Sequence, residues 1–286
     1  MTTDTANSTT EHEEPPMTTT EVPLPRPAEA TNAAGPRAAG QVAAVLRSEW
    51  IKFTTVRTNT AILVGAFVAS SLMSWATAAF YTDEVLTAAE VFVYSTWLTA
   101  VLATIAGVLL FTSEVQHGTL AGSLAAHPSR WPVVAAKTLV AAGFGLLLGV
   151  VGMATGFLGA LVGGIEVGDT SGMPATVGWA LLYTVGSAVL GLGVGMIVRH
   201  SAGAVSGILV WWFVIEGLLI QFAPAGVVRY LPFDAGFRTL GAGPSFDSPE
   251  FVASALSNPL HAAIFWGYVI VALALGTVQL VRRDPD

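Results

Sequence analysis

Cysteine is absent from this 286-residue chain, and charged side chains are scarce. Without cysteine the chain cannot form a disulfide, a thiolate metal site or an iron–sulfur cluster, and it has no thiol nucleophile. Charged residues make up 11% of the chain, whereas an ordinary soluble domain carries about 25%. Because so few charges cannot cover a water-facing surface, we expect much of the exterior to face lipid.

The sequence motifs of common enzyme chemistries are missing as well. Neither Lys52 nor Lys137 stands in a G-x-x-x-x-G-K-[ST] phosphate loop, so the chain is not expected to hydrolyse ATP itself. No HExxH zinc motif occurs, and all five histidines lie outside the hydrophobic runs or at their edges. We therefore predict no catalytic residue, metal site or cofactor in this chain, and no nucleic-acid partner.

What the chain does have is hydrophobic runs. An apolar bilayer core of about 30 Å takes about 20 helical residues, and six uncharged or nearly uncharged runs are long enough. They are Thr58–Thr82, Val91–Ser113, Thr138–Ile165, Thr170–Val198, Ser201–Val228, and the part of Phe251–Val281 that begins near Ala262. Alternation of polar and apolar residues is absent. The sequence thus predicts an all-α integral membrane protein with six transmembrane helices.

The basic residues orient these spans, because Lys and Arg concentrate in cytoplasmic flanks. With both termini inside, ten of the twelve basic residues are cytoplasmic, and only Arg229 and Arg238 face outwards. Residues 58–283 then form the six-span domain, with a first cytoplasmic loop at 113–132 and a long outer connection at 224–261. The tail at 1–40 is rich in Thr, Pro, Ala and Glu and is expected to be disordered.

Residues 41–57, QVAAVLRSEWIKFTTVR, predict an amphipathic helix that lies in the inner headgroup layer. Arg47 and Lys52 would face anionic lipid, and Trp50 would sit at the interface. Glu49 projects into the apolar arc, where lipid offers no counter-charge. The helix is therefore either a membrane-entry element or a contact for a protein partner.

The first cytoplasmic loop contains EVQHGTLAGSLAAHPSR, residues 114–130. Gly118 permits a sharp break after the second span, and Thr119 can cap a short helix over Leu120–Ala126. This helix is predicted to expose Leu120 and Leu124. It would rest either on the inner ends of its own spans or in a groove of a soluble partner.

Together, SEWIKFTTVRT before the first span and EVQHGTLAGSLAAHPSRW after the second resemble the permease subunits of type-two ABC exporters. The resemblance covers roughly Gln41–Arg283. It implies a pair of permease chains, identical or different, in the cell inner membrane. A separate ABC subunit would bind ATP and Mg²⁺ and drive export of a hydrophobic or amphipathic cargo by alternating access. Short re-entrant helices would close the outer exit.

The resemblance also implies which residues meet the ATPase. The coupling residues would be Glu114, Gly118, Thr119 and Arg130, together with Leu120 and Leu124, and the interfacial helix would contribute Arg47, Glu49, Trp50 and Lys52.

Glycines mark the third and fourth spans. Gly145, Gly149, Gly152 and Gly156 recur at intervals of three or four on one helix face, and Gly191 and Gly195 follow in the fourth span. Small residues at this spacing let helices approach closely in lipid. We expect tight packing between spans three and four; a sliding interface is the alternative.

Glu216 is predicted to be the only acid inside a span. Intramembrane carboxylates usually face a bundle interior or a cavity, so Glu216 could line a pathway, make a structural hydrogen bond or titrate. Two other functions stay open: a transport-inactive immunity or sensing protein, and an ion-coupled secondary transporter. The second is disfavoured by the absence of an internal repeat.

Overall fold

The computed structural model describes residues 47–48, 50–51, 57–80, 88–120, 130–164, 168, 170–241, 253 and 255–282. Over these residues the chain is helical and contains no strand. The helices are α1 Arg57–Phe80, α2 Ala88–Gln116, α3 Trp131–Val162, α4 Met173–Val198, α5 Ser201–Leu209, a π-helical segment Val210–Glu216, α6 Gly217–Phe222, α7 Ala225–Val228, α8 Pro232–Arg238 and α9 Asn258–Arg282.

Six helical stretches of the described chain are long and apolar enough to cross a membrane. They are α1, α2, α3, α4, α9 and the continuous stretch Ser201–Phe222, called here the fifth span. The prediction of six spans in an all-α fold is thus confirmed. The fifth span has 22 residues. At a rise of 1.5 Å per residue, its length exceeds the thickness of the hydrocarbon core, which is roughly 30 Å.

Some helices lie at the centre of the bundle and others at its periphery. α2 and α4 bury most of their side chains, whereas α1, the fifth span and α9 remain largely exposed. α4 packs against α2, α3 and α9, and α1 packs mainly against α3. The apolar centre therefore lies along α2 and α4, with residues such as Phe111, Leu192 and Met196 fully buried.

The sequence predicts that the glycines of α3 pack on α4, but only some of them do. Side chains added at Gly145 and Gly149 would collide with Thr184 of α4, but at Gly152 and Gly156 they would collide with α2 instead. α3 thus crosses two neighbours in turn, and its glycine face serves both.

In α4, the glycines allow close approach to α2. An added Cβ at Gly191 would overlap the carbonyl oxygen of Thr104, and one at Gly195 would meet the backbone of Val108. Neither contact can be relieved by rotating a side chain, because the obstructing atoms belong to the helix backbone. The expected packing role of these two glycines therefore involves α2 rather than α3.

A Gly191→Ala chain is expected to lose most of its folded yield, since the added methyl group must push α2 away from α4. Overpacking of this kind typically lowers the free energy of unfolding by about 1–3 kcal/mol. We expect a loss near the upper end of this range, because the obstructing atoms belong to the backbone. Gly178→Ala in the same helix is the matched control, because an added Cβ there has no atom within 4 Å. Monodisperse protein recovered from membranes is the measurement; equal recovery of both variants would contradict the packing.

Two helices begin before the stretches that hydropathy alone marks out. α3 begins at Trp131, ahead of the uncharged run that starts at Thr138, and α9 begins at Asn258 instead of near Ala262. In both cases a proline occupies the first turn, Pro132 and Pro259, where its missing N–H costs nothing. Asn258-Pro259 therefore opens the last helix, whereas it had been expected only to break the preceding one.

The predicted interfacial helix is described only in part. Arg47, Ser48, Trp50 and Ile51 are helical and exposed, whereas Glu49 and Lys52 lie outside the described residues. Trp50 exposes more than half of its surface, as suits a side chain facing lipid headgroups or a partner.

Candidate functional site

The first candidate site surrounds the two ends of the segment that connects α2 to α3. Helix α2 ends at Gln116, and Gly118 adopts a left-handed conformation with φ of 68°. This is a conformation that glycine adopts without strain, so the chain turns sharply where the sequence predicts it. Thr119 follows in a helical conformation and its hydroxyl donates to the carbonyl oxygen of Glu114, 3.4 Å away.

The prediction that Leu120 is exposed is wrong. The residue is only 7% accessible and joins the main apolar cluster. That cluster also contains Val133 and Val134 from the first turn of α3. The beginning of the segment therefore rests on its own spans, because an apolar side chain so close to the bundle gains more from burial than from exposure. Leu124, the other leucine expected at this surface, lies outside the described residues.

A buried ion pair joins the two helices just beyond the segment. The Nζ atom of Lys137 lies 2.8 Å from Oε2 of Glu114, and the two side chains are 0% and 10% exposed. Glu114 stands two residues before the end of α2, and Lys137 is two turns inside α3. An ion pair so well shielded from water holds both charges in place, because either one alone would be costly to bury.

Further polar contacts tie the same end of the bundle together. Arg130 Nη1 donates to the carbonyl oxygens of Leu280 and Val281, at 2.5 Å and 3.3 Å, in the last turn of α9. A cation at this position satisfies carbonyl groups that a helix end leaves without intrahelical donors. Ser201, at the start of the fifth span, donates to Thr112 of α2 over 2.7 Å.

The contacts made by Glu114, Lys137, Arg130 and Ser201 are called here the frame of the segment. Its ends are joined to each other by the ion pair, to α9 by Arg130 and to the fifth span through α2. Of the predicted coupling residues, the structure brings Glu114, Gly118, Thr119 and Arg130 to this frame.

Sequence reasoning missed Lys137, which had been assigned to the flank of a span. Its signal was its position seven residues after Arg130, inside a run that the structure makes helical from Trp131. Glu114 likewise belongs to a helix of membrane-spanning length, two residues before its end.

The second candidate site is centred on Glu216, which is 1% exposed at the end of the π-helical segment. Its Oε1 accepts hydrogen bonds from Trp211 Nε1 at 2.9 Å and from the backbone N–H of Phe233 at 3.1 Å. Its Oε2 accepts from the backbone N–H of Asp234 at 2.9 Å. The carboxylate thus binds the first turn of α8, whose N–H groups have no intrahelical acceptor.

The π-helical winding explains why Trp211 can reach Glu216. π-Helices pair residues i and i+5, so residues five apart lie closer in angle than they would on an α-helix. The next residue, Trp212, stacks on the ring of Phe233 with a centroid distance of 3.9 Å. Hydrogen bonds and stacking therefore attach the same turn of α8 to the fifth span.

Helix α8 is also fixed from its other sides. Tyr183 of α4 donates its hydroxyl hydrogen to the carbonyl oxygen of Phe233 over 3.4 Å. Arg238 pairs with Asp234 one turn earlier, at 2.6 Å. The connection after the fifth span, residues 224–241, thus returns into the bundle as a short helix held by α4 and the fifth span. The helix-start pattern at Ser248–Glu250 lies outside the described residues.

The bonds of Glu216 favour the structural interpretation of this residue over a position in an open pathway, since both oxygens are occupied by fixed donors. Among the described residues, no three histidine or acidic side chains converge as a metal site would require. In both candidate sites, the polar contacts join one helix of the bundle to another.

Comparison with known protein families gives a match. Residues 45–225, more than half of the chain, match the family model described as "ABC-2 family transporter protein". The matched region runs from the interfacial helix through the fifth span, so it contains the α2–α3 connection and Glu216. No curated protein matches the chain significantly.

Proposed function

The chain belongs to the ABC-2 transporter family, and from that premise we propose that it is the permease of an ATP-driven exporter. In this proposal ATP and Mg²⁺ bind a separate ABC subunit, and two permease chains, identical or different, alternate access for a hydrophobic or amphipathic cargo. As a multi-pass membrane protein without a phosphate loop, the chain needs an external source of energy.

The observation that carries the proposal is the frame around the α2–α3 connection. Glu114, Lys137 and Arg130 link this connection to neighbouring helices through contacts that are wholly or partly shielded from water. Such an arrangement suits the transfer of force from a soluble subunit into the bundle. It also disfavours ion coupling, because both buried carboxylates of the described spans, Glu114 and Glu216, already hold fixed partners.

The proposed orientation places the α2–α3 connection and both termini in the cytoplasm. The arginines Arg57, Arg130, Arg199 and Arg282 support it, since all four stand at the same end of the antiparallel spans. Excess arginine in short flanks is typical of the cytoplasmic side.

Because the chain has no cysteine, single cysteines can test orientation and coupling directly. We expect Thr170→Cys, in the α3–α4 connection, to react with a membrane-impermeant maleimide in intact cells. Thr119→Cys should react only after permeabilisation. The reverse labelling pattern would contradict the orientation and with it the cytoplasmic docking of an ATPase.

The same two positions test the ATPase contact. An ABC subunit should co-purify with the tagged chain, and Thr119→Arg should weaken this association because Thr119 is exposed at the frame. Thr170→Arg is the matched control at the opposite end. ATP-dependent efflux of a fluorescent amphiphile from cells is the functional measurement, and efflux that persists after deletion of the co-purifying ATPase would overturn the proposal.

A further inference from the structure

An open groove of about 710 Å³ runs between α3 and α9 along the side of the helix bundle. Val134, Thr138 and Leu139 line one wall, and Ile270, Ala274 and Val278 line the other. On each helix these residues recur at helical spacing on one face. α3 and α9 both pack on α4 but contact each other little, which leaves the groove open between them.

The two ends of the groove differ chemically. At one end stand Trp131, which is 67% exposed, and Arg282, the last residue of α9. Arg130 reaches α9 at the same end through the carbonyl oxygen of Leu280. The remaining lining is aliphatic apart from two threonines, and none of the lining residues is acidic. The groove therefore combines a cationic, aromatic mouth with an apolar length.

The length of the groove indicates what fits it. Its α9 wall extends from Ile270 to Arg282, which is about 18 Å at 1.5 Å per residue. This corresponds to little more than one leaflet, since the whole apolar core measures about 30 Å. A partner helix that crosses the membrane would need a surface running through both leaflets, whereas an acyl chain needs only one.

From the charge at its mouth and its one-leaflet length, we infer that this groove binds an anionic phospholipid. The acyl chains lie along the aliphatic walls, and the phosphate faces Arg282 beside Trp131. Basic pockets between transmembrane helices are known to select acidic headgroups, and an indole at this depth fits the headgroup boundary. The inference does not depend on the proposed export, because it concerns the surface of the bundle alone.

Binding here would bring the lipid to the frame of the α2–α3 connection. Trp131 begins α3, and Arg130, the residue before it, already joins this end of the helix to the last turn of α9. A bound lipid would fill the space between these helices along the groove. It would thus stiffen the end of the bundle at which the connection is attached.

Native mass spectrometry of the full chain in detergent tests the inference, with phosphatidylglycerol and phosphatidylcholine added separately at equal concentration. We expect saturable phosphatidylglycerol binding that is about fivefold tighter than phosphatidylcholine binding, as one cation near the headgroup confers. Arg282→Gln should remove this preference. Arg57→Gln, which changes the same charge at the same end outside the groove, should keep it.

Filling the groove gives an independent readout. Ala274→Phe should reduce binding of both lipids, while Ala263→Phe, at an exposed site of α9 away from the groove, should leave binding unchanged. If Ala274→Phe is not monodisperse, Ala135→Phe fills the groove from the opposite wall.

Three results would overturn the inference. One is equal binding of the two lipids by the unmodified chain, and another is the same effect from Arg282→Gln as from Arg57→Gln. The third is a change in the number of chains per particle on filling the groove, which would make a second copy its occupant.

Discussion

A Lys137→Met chain is expected to be recovered from membranes in folded form at only a small fraction of the normal yield. The substitution leaves Glu114, whose side chain is 10% exposed, beside an apolar neighbour in place of a cation 2.8 Å away. Removing one member of a buried ion pair costs about 3–5 kcal/mol of folding free energy, because the remaining charge loses its counter-charge at a site shielded from water. In a detergent thermal-aggregation assay this corresponds to a midpoint lowered by about 10 °C.

A double-mutant cycle separates loss of the pair from loss of the lysine side chain. Glu114→Gln combined with Lys137→Met removes both charges, so the double variant should be more stable than Lys137→Met alone. Exchanging the two residues, with Glu114→Lys and Lys137→Glu, should recover part of the stability. Additive losses in the cycle would show that the two charges do not stabilise each other.

An exposed cation at the same end of the bundle provides the control. Arg57→Met removes one positive charge from the start of α1, where the side chain is exposed, and should change the midpoint little. If ATP-dependent efflux falls in the exchanged pair while stability is restored, the ion pair also has a role in transmission.

The spans could be predicted from the sequence because the requirement for about 20 apolar residues acts on each helix separately. Phe111 and Leu192 occupy the buried helices α2 and α4, although nothing in their own runs distinguishes these helices from the exposed α1. Burial depends on which helix is surrounded by others. It is therefore a property of the assembled bundle that no single run specifies.

The candidate sites were less accessible to sequence reasoning for a related reason. Glu216 could be identified as unusual, but its backbone partners Phe233 and Asp234 follow 17 and 18 residues later. Lys137 escaped notice because its helix begins earlier than the uncharged run. In both cases a charged group looked unpaired or peripheral until tertiary contacts supplied its partner, which local hydropathy does not encode.

Glu216→Ala is expected to release α8 from the fifth span. The substitution removes the acceptor of three hydrogen bonds at once, from Trp211 and from the backbone N–H groups of Phe233 and Asp234. Each buried donor left without an acceptor costs about 1–3 kcal/mol. Hydrogen exchange at the first turn of α8 should therefore accelerate about 10- to 100-fold, since local opening sets the exchange rate.

Glu216→Gln gives a graded result that distinguishes attachment from a pathway role. The amide retains one acceptor oxygen but replaces the other with a donor, so it can satisfy only part of the three donors. Exchange at Phe233 and Asp234 should be intermediate, while Gln221→Ala, an exposed polar change in the same span, should have no effect. Lost efflux with unchanged exchange in both Glu216 variants would instead place the carboxylate in contact with cargo. If exchange in α8 accelerates in proportion to the loss of efflux, Glu216 acts on transport through α8. Efflux then depends on the attachment of α8 to the fifth span.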